Sequence, residues 1–315
     1  MLLGIDIGGT KCAVVTAEWD NEKITLIDKK KCPTDFTISP EEMIDRLLTM
    51  ADEIIGDNKI SAVGISCGGP LDSKRGVIMS PPNLKGWNNV EIVKQVEEHY
   101  NVPVHLQNDA NACAVAEWKF GAGKGTDNMI FMTFGTGLGA GLIIDGRLYS
   151  GTNDNAGEVG HIRLDKFGPV GFGKAGSFEG FCSGAGIAGL GYTLAQEKVQ
   201  QGGYPSYFKA GMTACDINAK TIADAAEAGD PTAIKAYEIC GEYLGKGLSI
   251  LIDILNPQKI VIGSVFTRSR NLLWESAKKV IDAEALSLAS AVCEVVPAEL
   301  GESIGDYAAV ATALL

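Results

Sequence analysis

The chain has 315 residues, of which 46% are hydrophobic and 21% charged, and its formal net charge is -12 at pH 7. This composition predicts a globular protein with enough residues for two domains, and its acidity disfavours nonspecific binding of nucleic acid or of an anionic membrane surface. No apolar run approaches the roughly 20 residues of a membrane span, and the first residues lack the basic and apolar regions of a signal peptide. The eight scattered cysteines contain no CxxC pair, which favours buried thiols in a reducing compartment. We therefore expect a cytoplasmic protein with no nucleic-acid or membrane partner.

The first predicted elements are two strands joined by a glycine-rich turn. The apolar run 2–7 ends in the sequence DIGGTK, and the β-branched run 12–17 follows it, so the glycines are expected to join the strands of a hairpin. A Rossmann or P-loop site would instead need a helix after its glycines. Backbone N–H groups in such a turn can bind a phosphate. The carboxylate of Asp6 beside that phosphate would need a cation, which makes Asp6 a candidate for the outer shell of Mg²⁺. An ordinary hairpin with an exposed Asp6 is the alternative.

Two short glycine- or proline-rich loops come next. The pattern around them predicts a strand over 24–30, a helix over 41–55, a strand over 61–66 and a helix over 90–100. Gly69 lies in a Cys-Gly-Gly-Pro segment, where glycine lets a ligand approach the backbone closely, although a tight turn would need the same residues. Asn83 lies in a proline-stiffened loop, from which its side chain could reach a ligand or form an Asx-turn.

The stretch HLQNDANACAVAE at 105–117 lies where a strand is expected to end and a helix to begin. The apolar run 102–106 predicts a short buried strand, and the alanine-rich segment 110–118 predicts a helix. Asn108 and Asp109 are therefore expected at the edge of the sheet at which open α/β proteins bind ligands. The alternative is that Asp109 only caps the helix, because Asp and Asn are both good capping residues.

The second half of the chain begins with another glycine-rich hairpin. Segment 121–127 has the composition of a linker, and a strand over 128–134 leads into the glycine-rich segment 135–141, which further strands follow. Two such hairpins could bind one polyphosphate from both sides. Glu158 and His161 then occur three residues apart in a glycine-rich loop, where they could hydrogen-bond a polyhydroxyl ligand or simply be solvated.

The rest of the chain alternates helices with two strands. The pattern predicts helices over 185–201, 221–228, 231–255, 272–283 and 305–315 and strands over 259–264 and 291–296. Gly263 lies at the end of the first of these strands, which again suits ligand binding at a strand's end. The C-terminal helix, rich in small residues, could pack back on the first domain.

Five motifs stand in the order and spacing of the ROK family: DIGGTK at 6–11, QNDANA at 107–112, FGTGLGAG at 134–141, GEVGH at 157–161 and KIVIGS at 259–264. The chain therefore resembles, over nearly its whole length, a family of bacterial sugar kinases and sugar-responsive repressors. The resemblance implies an α/β, two-domain, actin/hexokinase-like (ribonuclease H-like) fold with a cleft between the domains. We expect an N-terminal domain of residues 1–120 plus 303–315 and a C-terminal domain of residues 121–302.

The same resemblance implies ATP-dependent phosphorylation of a hexose or an N-acetylhexosamine, of the glucose, N-acetylglucosamine or N-acetylmannosamine class, with ATP and Mg²⁺. Asp109 matches the family's catalytic aspartate, which takes the proton from the sugar hydroxyl that attacks the γ-phosphate. The helix N-terminus is expected to keep this carboxylate ionised. A homo-oligomer such as a dimer is also implied.

The other site residues are assigned by their match to the family's motifs. The residues that match sugar-binding positions are Gly69, Asn83, Asn108, Glu158, His161 and Glu179. The residues that match the two phosphate loops are Gly8, Gly9, Thr10, Lys11, Gly135, Thr136 and Gly137. Gly263 matches the adenosine site, and Asp6 matches the residue linked to Mg²⁺–ATP. Ser264 stands where the family often has another glycine.

The chain departs from the family's pattern at a zinc site. Many members bind a structural zinc through the histidine of the GH motif and three cysteines that shortly precede the matched glutamate. Here the cysteine positions hold Val170, Phe172 and Ser177. One histidine cannot form a four-coordinate zinc site, so we expect no bound zinc. The loop is then expected to be held by Phe172, Phe178 and other apolar contacts.

Two other functions are weighed against a kinase. A sugar-sensing regulator without catalysis is the main alternative. The family's repressors have a winged helix-turn-helix before the first strand, and DIGGTK begins at residue 6, which leaves no room for one. The acidic net charge also disfavours DNA binding. An actin- or chaperone-like ATPase without a sugar substrate is the other alternative. It is disfavoured by a set of polar residues that suit the recognition of hydroxyl groups: Asn108, Asp109, Glu158, His161 and Glu179.

Overall fold

The computed structural model describes residues 1–20 and 23–315. The chain forms two compact units, of which the first comprises residues 1–127, 141–156 and 299–315 and the second comprises residues 128–140 and 157–298. The domain limits expected from the sequence remain a prediction, and they differ from these units mainly at residues 141–156. Those residues are tied to the first unit, because the carboxylate of Asp154 accepts hydrogen bonds of 2.8 Å from the amide and from the hydroxyl of Ser73.

The first unit begins with ten elements in chain order. They are β1 (Leu2–Ile7), β2 (Lys11–Trp19), β3 (Ile24–Pro33), α1 (Pro40–Ile55), β4 (Ala62–Cys67), β5 (Leu71–Asp72), β6 (Val77–Ile78), α2 (Ile92–Tyr100), β7 (Val104–Asn108) and α3 (Asp109–Phe120). The short β5–β6 hairpin was not predicted from the sequence. The other strands and helices fall where the hydrophobic pattern predicts them, within a few residues.

Five of these strands form one sheet, with the order β3-β2-β1-β4-β7. β1 and β2 are antiparallel, which confirms the predicted glycine hairpin, whereas β1, β4 and β7 are parallel. Ile7 pairs with Cys67, and Cys67 pairs with Asn108. The segments that follow these three residues therefore leave the sheet at the same edge, and they are the first glycine turn, the Gly68–Gly69 segment and α3.

Helix α1 covers one face of this sheet with a buried apolar stripe. Ser39 and Glu42 form a capping box at its start. Its buried residues follow helical spacing, as predicted, and include Met43, Ile44, Leu47, Leu48 and Ala51. They share one core cluster with residues of β1 and β4. Each such aliphatic side chain contributes about 1.5–3 kcal/mol on full burial, and this packing fixes the strands that end at the candidate site.

The remaining elements include a second sheet and most of the helices. They are β8 (Met129–Phe134), β9 (Leu138–Ile144), β10 (Arg147–Leu148), β11 (Val170–Gly171), β12 (Lys174–Ala175), α4 (Phe178–Phe181), α5 (Gly184–Gln200), α6 (Ala219–Glu227), α7 (Pro231–Leu255), β13 (Lys259–Ile262), α8 (Val265–Glu284), α9 (Ser287–Ser290), β14 (Glu294–Pro297) and α10 (Ile304–Thr312). The second five-stranded sheet has the order β10-β9-β8-β13-β14, in which β8, β13 and β14 are parallel.

Helices α8 and α10 test two predictions made from the sequence, the start of one helix and the packing of the other. Val310 and Ala313 at the end of the chain are buried in one cluster with Leu2 and Val15, which confirms that the C-terminal helix packs on the first unit. α8 begins at Val265 rather than at residue 272, because a polar stretch that hides the apolar period continues the helix across a kink at Ser269. Among the described residues, no helix is both long and apolar enough to cross a membrane.

Candidate active site

Asn108 and Asp109 have different structural roles at the junction of β7 and α3. Asn108 has extended backbone angles, and its side-chain oxygen accepts the amide of Asn111 at 2.7 Å, so Asn108 is the N-cap of α3. Asp109 is the first residue of the helix. Its Oδ1 accepts the amide of Ala110 at 2.8 Å. The alternative in which Asp109 serves as the cap is therefore wrong, and no side chain among the described residues donates a hydrogen bond to its carboxylate.

The carboxylate of Asp109 is accessible to water but is crowded by protein. Surrounding protein atoms desolvate it and raise its pKa above the ordinary range, while the N–H groups of Ala110 and of Asp109 itself act against that rise. The helix N-terminus alone would favour the ionised form. The net direction shows that desolvation is the larger effect, so the expectation drawn from the helix alone is incomplete. A carboxylate with a raised pKa is a better proton acceptor than a freely solvated one.

Asp6 lies near the end of β1 in a cluster of charged groups. The pKa of Asp6 is raised from 3.8 to about 6. Burial is the largest cause, and the carboxylates of Asp109 and Asp306 add to it. The ammonium groups of Lys11 and Lys29 act in the opposite direction. Ionisation of Asp6 therefore lowers the stability of the folded protein, and a bound cation would reduce this loss.

The turn after β1 presents backbone N–H groups. The amide of Gly8 donates to the carbonyl of Lys11 at 3.1 Å and closes the turn. In the described part of the chain, the amides of Gly9 and Thr10 have no protein acceptor. A side chain on Gly9 would not fit, because its Cβ would lie 2.6 Å from the carbonyl oxygen of Asn83. The structure thus brings together the predicted phosphate turn and the loop of Asn83, with two amides free for an anion.

Gly69 and Asn83 are both exposed at this end of the first unit. Gly69 follows β4, and a Cβ built on it would meet no atom within 4 Å. Packing therefore does not require glycine at residue 69. The exposed position is compatible with ligand approach, and the assignment of Gly69 and Asn83 to a sugar remains a prediction.

In the second unit, the glycine turn between β8 and β9 has a similar arrangement. The amide of Gly135 donates to the carbonyl of Gly137 at 3.0 Å, and the carbonyl of Gly135 accepts the amide of Gly184 at 2.7 Å. The amides of Thr136 and Gly137 have no protein acceptor among the described residues. The sequence prediction of a second phosphate-binding turn is compatible with this geometry.

Glu179 lies directly against this second turn. Its Oε2 accepts the amide of Leu138 at 2.9 Å, and a Cβ on Gly137 would lie 2.7 Å from that oxygen. Glu158 and His161 belong to one tight turn, in which the amide of His161 donates to the carbonyl of Glu158 at 3.2 Å. Gly160 of that turn packs on the carbonyl of Leu138 and on the Glu179 side chain. The structure therefore brings the three predicted polar residues of the second unit to one place.

Two charged residues near Asp6 were missed by the sequence analysis. Lys29 of β3 forms an ion pair with Asp306 of α10, with Nζ–Oδ distances of 2.5 and 2.7 Å. A Cβ on Gly305 would lie 3.6 Å from the Oδ2 of Asp6, so the start of α10 borders that carboxylate. Lys29 and Asp306 are 277 residues apart, and no local motif marks either one. The only available signal was the predicted packing of the C-terminal helix on the first domain.

A model of the ROK family matches residues 2–314. The chain belongs to the ROK family. It is similar to the glucokinase of Streptomyces coelicolor, with 32% identity over 280 residues that cover 89% of this chain and 86% of that protein. It is also similar to the DNA-binding transcriptional dual regulator NagC of Escherichia coli, with 32% identity over 260 residues that cover 82% of this chain and 62% of the regulator.

Solved structures agree with this family membership. A ROK family glucokinase from Streptomyces griseus, determined in complex with glucose and AMPPNP, is 29% identical, covers 99% of both chains and has a TM-score of 0.76. The predicted α/β, actin/hexokinase-like fold is thereby confirmed. Because kinases and regulators of the ROK family are similarly close to this chain, membership alone does not assign a catalytic role.

The loop for which the sequence analysis expected apolar packing by Phe172 and Phe178 is only partly held in that way. The prediction that Phe172 packs in this loop is wrong, because Phe172 is 77% exposed, whereas Phe178 is fully buried as expected. Backbone hydrogen bonds also hold the loop, because the amides of Leu164 and Asp165 donate to the carbonyl of Gly176 at 2.9 and 3.1 Å. In the described ranges, no group of three or more His, Cys, Asp or Glu side chains is placed to bind a metal.

The second departure from the ROK pattern, Ser264, lies directly after β13. Gly263 donates its amide to the carbonyl of Met132 at 3.0 Å. Ser264 follows with φ 57 and ψ -110, a conformation that favours glycine. A serine there is strained, and its hydroxyl caps no helix amide. The assignment of Gly263 to an adenosine remains a prediction.

Proposed function

We propose that this ROK protein is an ATP-dependent sugar kinase that phosphorylates a hexose or an N-acetylhexosamine, with Asp109 as the general base. The observation that supports this most directly is that Asn108, and not Asp109, is the N-cap of α3. Because Asn108 caps the helix, the carboxylate of Asp109 is not needed as the cap, and no other side chain of the described residues occupies it, so it is open to a ligand. A regulator that only senses sugar has no need for a proton acceptor whose pKa is raised.

The proposed role of Asp109 follows from the chemistry of phosphoryl transfer. The sugar hydroxyl becomes acidic as its oxygen bonds to phosphorus, so a carboxylate within hydrogen-bond reach orients the hydroxyl and then accepts its proton. Asn108 uses its side-chain oxygen for the cap and keeps its NH₂ group as a donor for a sugar oxygen. Glu158, His161 and Glu179 are proposed to bind further sugar hydroxyls.

Nucleotide binding is proposed for the two glycine turns, each of which offers two unpaired amides to phosphate oxygens. The first is supplied by Gly9 and Thr10, and the second by Thr136 and Gly137. Gly263 is proposed to border the adenosine. Asp6 of β1, beside the first turn, also fits Mg²⁺, since it is a carboxylate whose ionised form is disfavoured by burial and by neighbouring acids. When bound with the nucleotide, Mg²⁺ neutralises phosphate charge.

The test is the variant Asp109→Asn in a coupled kinase assay with a panel of hexoses and aminosugars. We expect the wild-type chain to release ADP in a sugar-dependent manner. The variant should lose about 10²-fold or more in kcat while it still binds the sugar in calorimetry, because the amide keeps the shape but cannot accept the proton. Near-normal turnover of the variant would contradict the role of Asp109.

The second candidate is a sugar-sensing regulator, which the similarity to NagC supports. That function predicts calorimetric sugar binding without sugar-dependent ADP release for any sugar of the panel. An ATPase without a sugar substrate would release ADP at the same rate with and without sugar. The same panel therefore distinguishes all three functions.

A further inference from the structure

The β11–β12 hairpin of the second unit displays an aromatic side chain at its turn. Phe172 is 77% exposed and has a φ of 45, and the next residue, Gly173, has a φ of 75. Bulky residues rarely adopt a positive φ, and such strain persists only where the surrounding structure imposes it. The hairpin is tied down on both sides, since Arg163 donates to the carbonyl of Ala175 at 2.5 Å and Gly176 donates to that of Pro169 at 3.0 Å.

The ring of Phe172 meets the ring of His161 edge to face. The ring centroids are 5.2 Å apart, and the ring planes are inclined by 82°. Such a pair is attractive because the positive edge of one ring faces the negative face of the other. The same hairpin also holds the backbone of His161, whose carbonyl accepts the ammonium group of Lys174 at 2.5 Å. The hairpin thus contacts both the main chain and the side chain of this one histidine.

The His161 ring has no polar partner that could fix its orientation. Among the described residues, neither ring nitrogen forms a hydrogen bond, and the residue is exposed. A free histidine on a turn would sample several rotamers, and each rotamer would present its nitrogens in a different direction. The contact with Phe172 removes part of this freedom without occupying a ring nitrogen. Both nitrogens therefore stay available to a ligand.

We propose that Phe172 is a positioning residue that holds the imidazole of His161 in the orientation in which it binds a sugar hydroxyl. This inference rests on the proposed function, because it assumes that His161 contacts the sugar. Its consequence is specific to sugar binding. Loss of Phe172 raises the KM for sugar, because the imidazole must be ordered at each binding event. It leaves the KM for ATP and the kcat almost unchanged.

The first test compares Phe172→Ala and Phe172→Leu with Val170→Ala as the matched control. Val170 lies on the same hairpin and is 66% exposed, so its truncation perturbs the loop without removing the ring contact. We expect the Phe172 variants to raise the sugar KM about threefold to tenfold, the factor that corresponds to loss of one edge-to-face ring pair. In a His161→Ala background, Phe172→Ala should add no further effect. A KM that is unchanged by Phe172→Ala, or an equal rise in the His161→Ala background, would overturn the proposal.

The second test observes the ring contact without any sugar. The chain has three histidines, so the imidazole signals of His161 can be assigned in an NMR spectrum by comparison with His161→Ala. We expect these signals to carry a ring-current shift that disappears in Phe172→Leu and persists in Val170→Ala. Absence of that shift in the wild-type chain overturns the inference alone. A wild-type chain that neither binds nor phosphorylates any sugar refutes the proposed function itself, and the inference with it.

Discussion

Replacement of Asp6 by Asn is expected to stabilise the protein at neutral pH while it impairs the proposed reaction. The folded state raises the pKa of Asp6 from 3.8 to about 6, chiefly by burial and then by the nearby carboxylates of Asp109 and Asp306. At neutral pH the wild-type chain must therefore keep a negative charge where the fold disfavours it. An amide of the same shape removes that charge. Functional sites often retain such costs, because the same charge is needed for the ligand.

The magnitude follows from the linkage between protonation and folding. A rise from 3.8 to about 6 corresponds to about 3 kcal/mol, and the partial exposure of Asp6 lowers the expected gain of Asp6→Asn to about 2 kcal/mol at pH 8. The folded state binds this proton more tightly than the unfolded chain. The stabilisation that the protonated Asp6 gives the folded state is therefore complete below pH 3.8 and is lost as the pH rises through about 6. The gain of the variant should fall to about half at pH 5.

The assay is thermal unfolding of the wild-type chain, of Asp6→Asn and of the control Asp57→Asn at pH 5 and pH 8. Asp57 is an exposed aspartate of the same unit, so its variant has the same change in net charge. We expect Asp6→Asn to raise the Tm by about 4 °C at pH 8 and by about half as much at pH 5. The control should change the Tm little at either pH. An Asp6→Asn variant that is no more stable than the wild type at pH 8, or whose gain does not shrink at pH 5, would refute the proposed burial cost.

Two further substitutions and one measurement on the unchanged chain test separate parts of the structure. Gly9→Ala should raise the KM for ATP about tenfold in the coupled assay. The new methyl group would lie 2.6 Å from the carbonyl oxygen of Asn83, so it would displace that carbonyl and distort the phosphate turn. An unchanged KM would show that this turn does not bind the nucleotide. Ser264→Gly should increase the stability by about 1 kcal/mol in denaturant unfolding, because glycine tolerates the φ of 57, and a loss of stability would contradict the proposed strain. Elemental analysis of the purified chain should find no stoichiometric zinc, because His161 lacks the further ligands of a four-coordinate site, and one zinc per chain would disprove that expectation.

Local sequence was sufficient to predict most strands and helices and the two glycine hairpins, because those features depend on periodicity and on turn residues close in sequence. It could not decide between Asn108 and Asp109 as the helix cap. Both residue types cap well, and the choice depends on which residue has extended backbone angles. The structure shows that Asn108 has extended backbone angles, which fixes the start of the helix to within one residue. The side chain of Asp109 is therefore not used as the helix cap.

The predicted packing of Phe172 in the loop 170–178 was wrong for a different physical reason. An aromatic residue in place of a metal ligand suggests apolar packing, and Phe178 does pack in this way. Phe172 does not, because the turn of the hairpin requires positive φ values and directs this side chain outward to the ring of His161. The direction of a side chain at a tight turn is set by backbone angles that composition does not reveal. Similarly, Lys29 and Asp306 meet only because the C-terminal helix returns to the first sheet.

The position of Asp109 depends on a residue that no motif marks. Glu117 lies eight residues later on α3, about 12 Å along the helix axis, and is fully buried. Its carboxylate accepts amides of Ala122 at 2.8 Å, Glu299 at 3.0 Å and Leu300 at 2.9 Å. A buried carboxylate is tolerated only with such partners, and in return it binds the last turn of α3 to two separate segments of the chain. The helix is therefore held at its start by the side-chain amide of Asn108 and at its end by the buried carboxylate of Glu117, so α3 cannot shift or turn about its axis without the loss of one of these contacts.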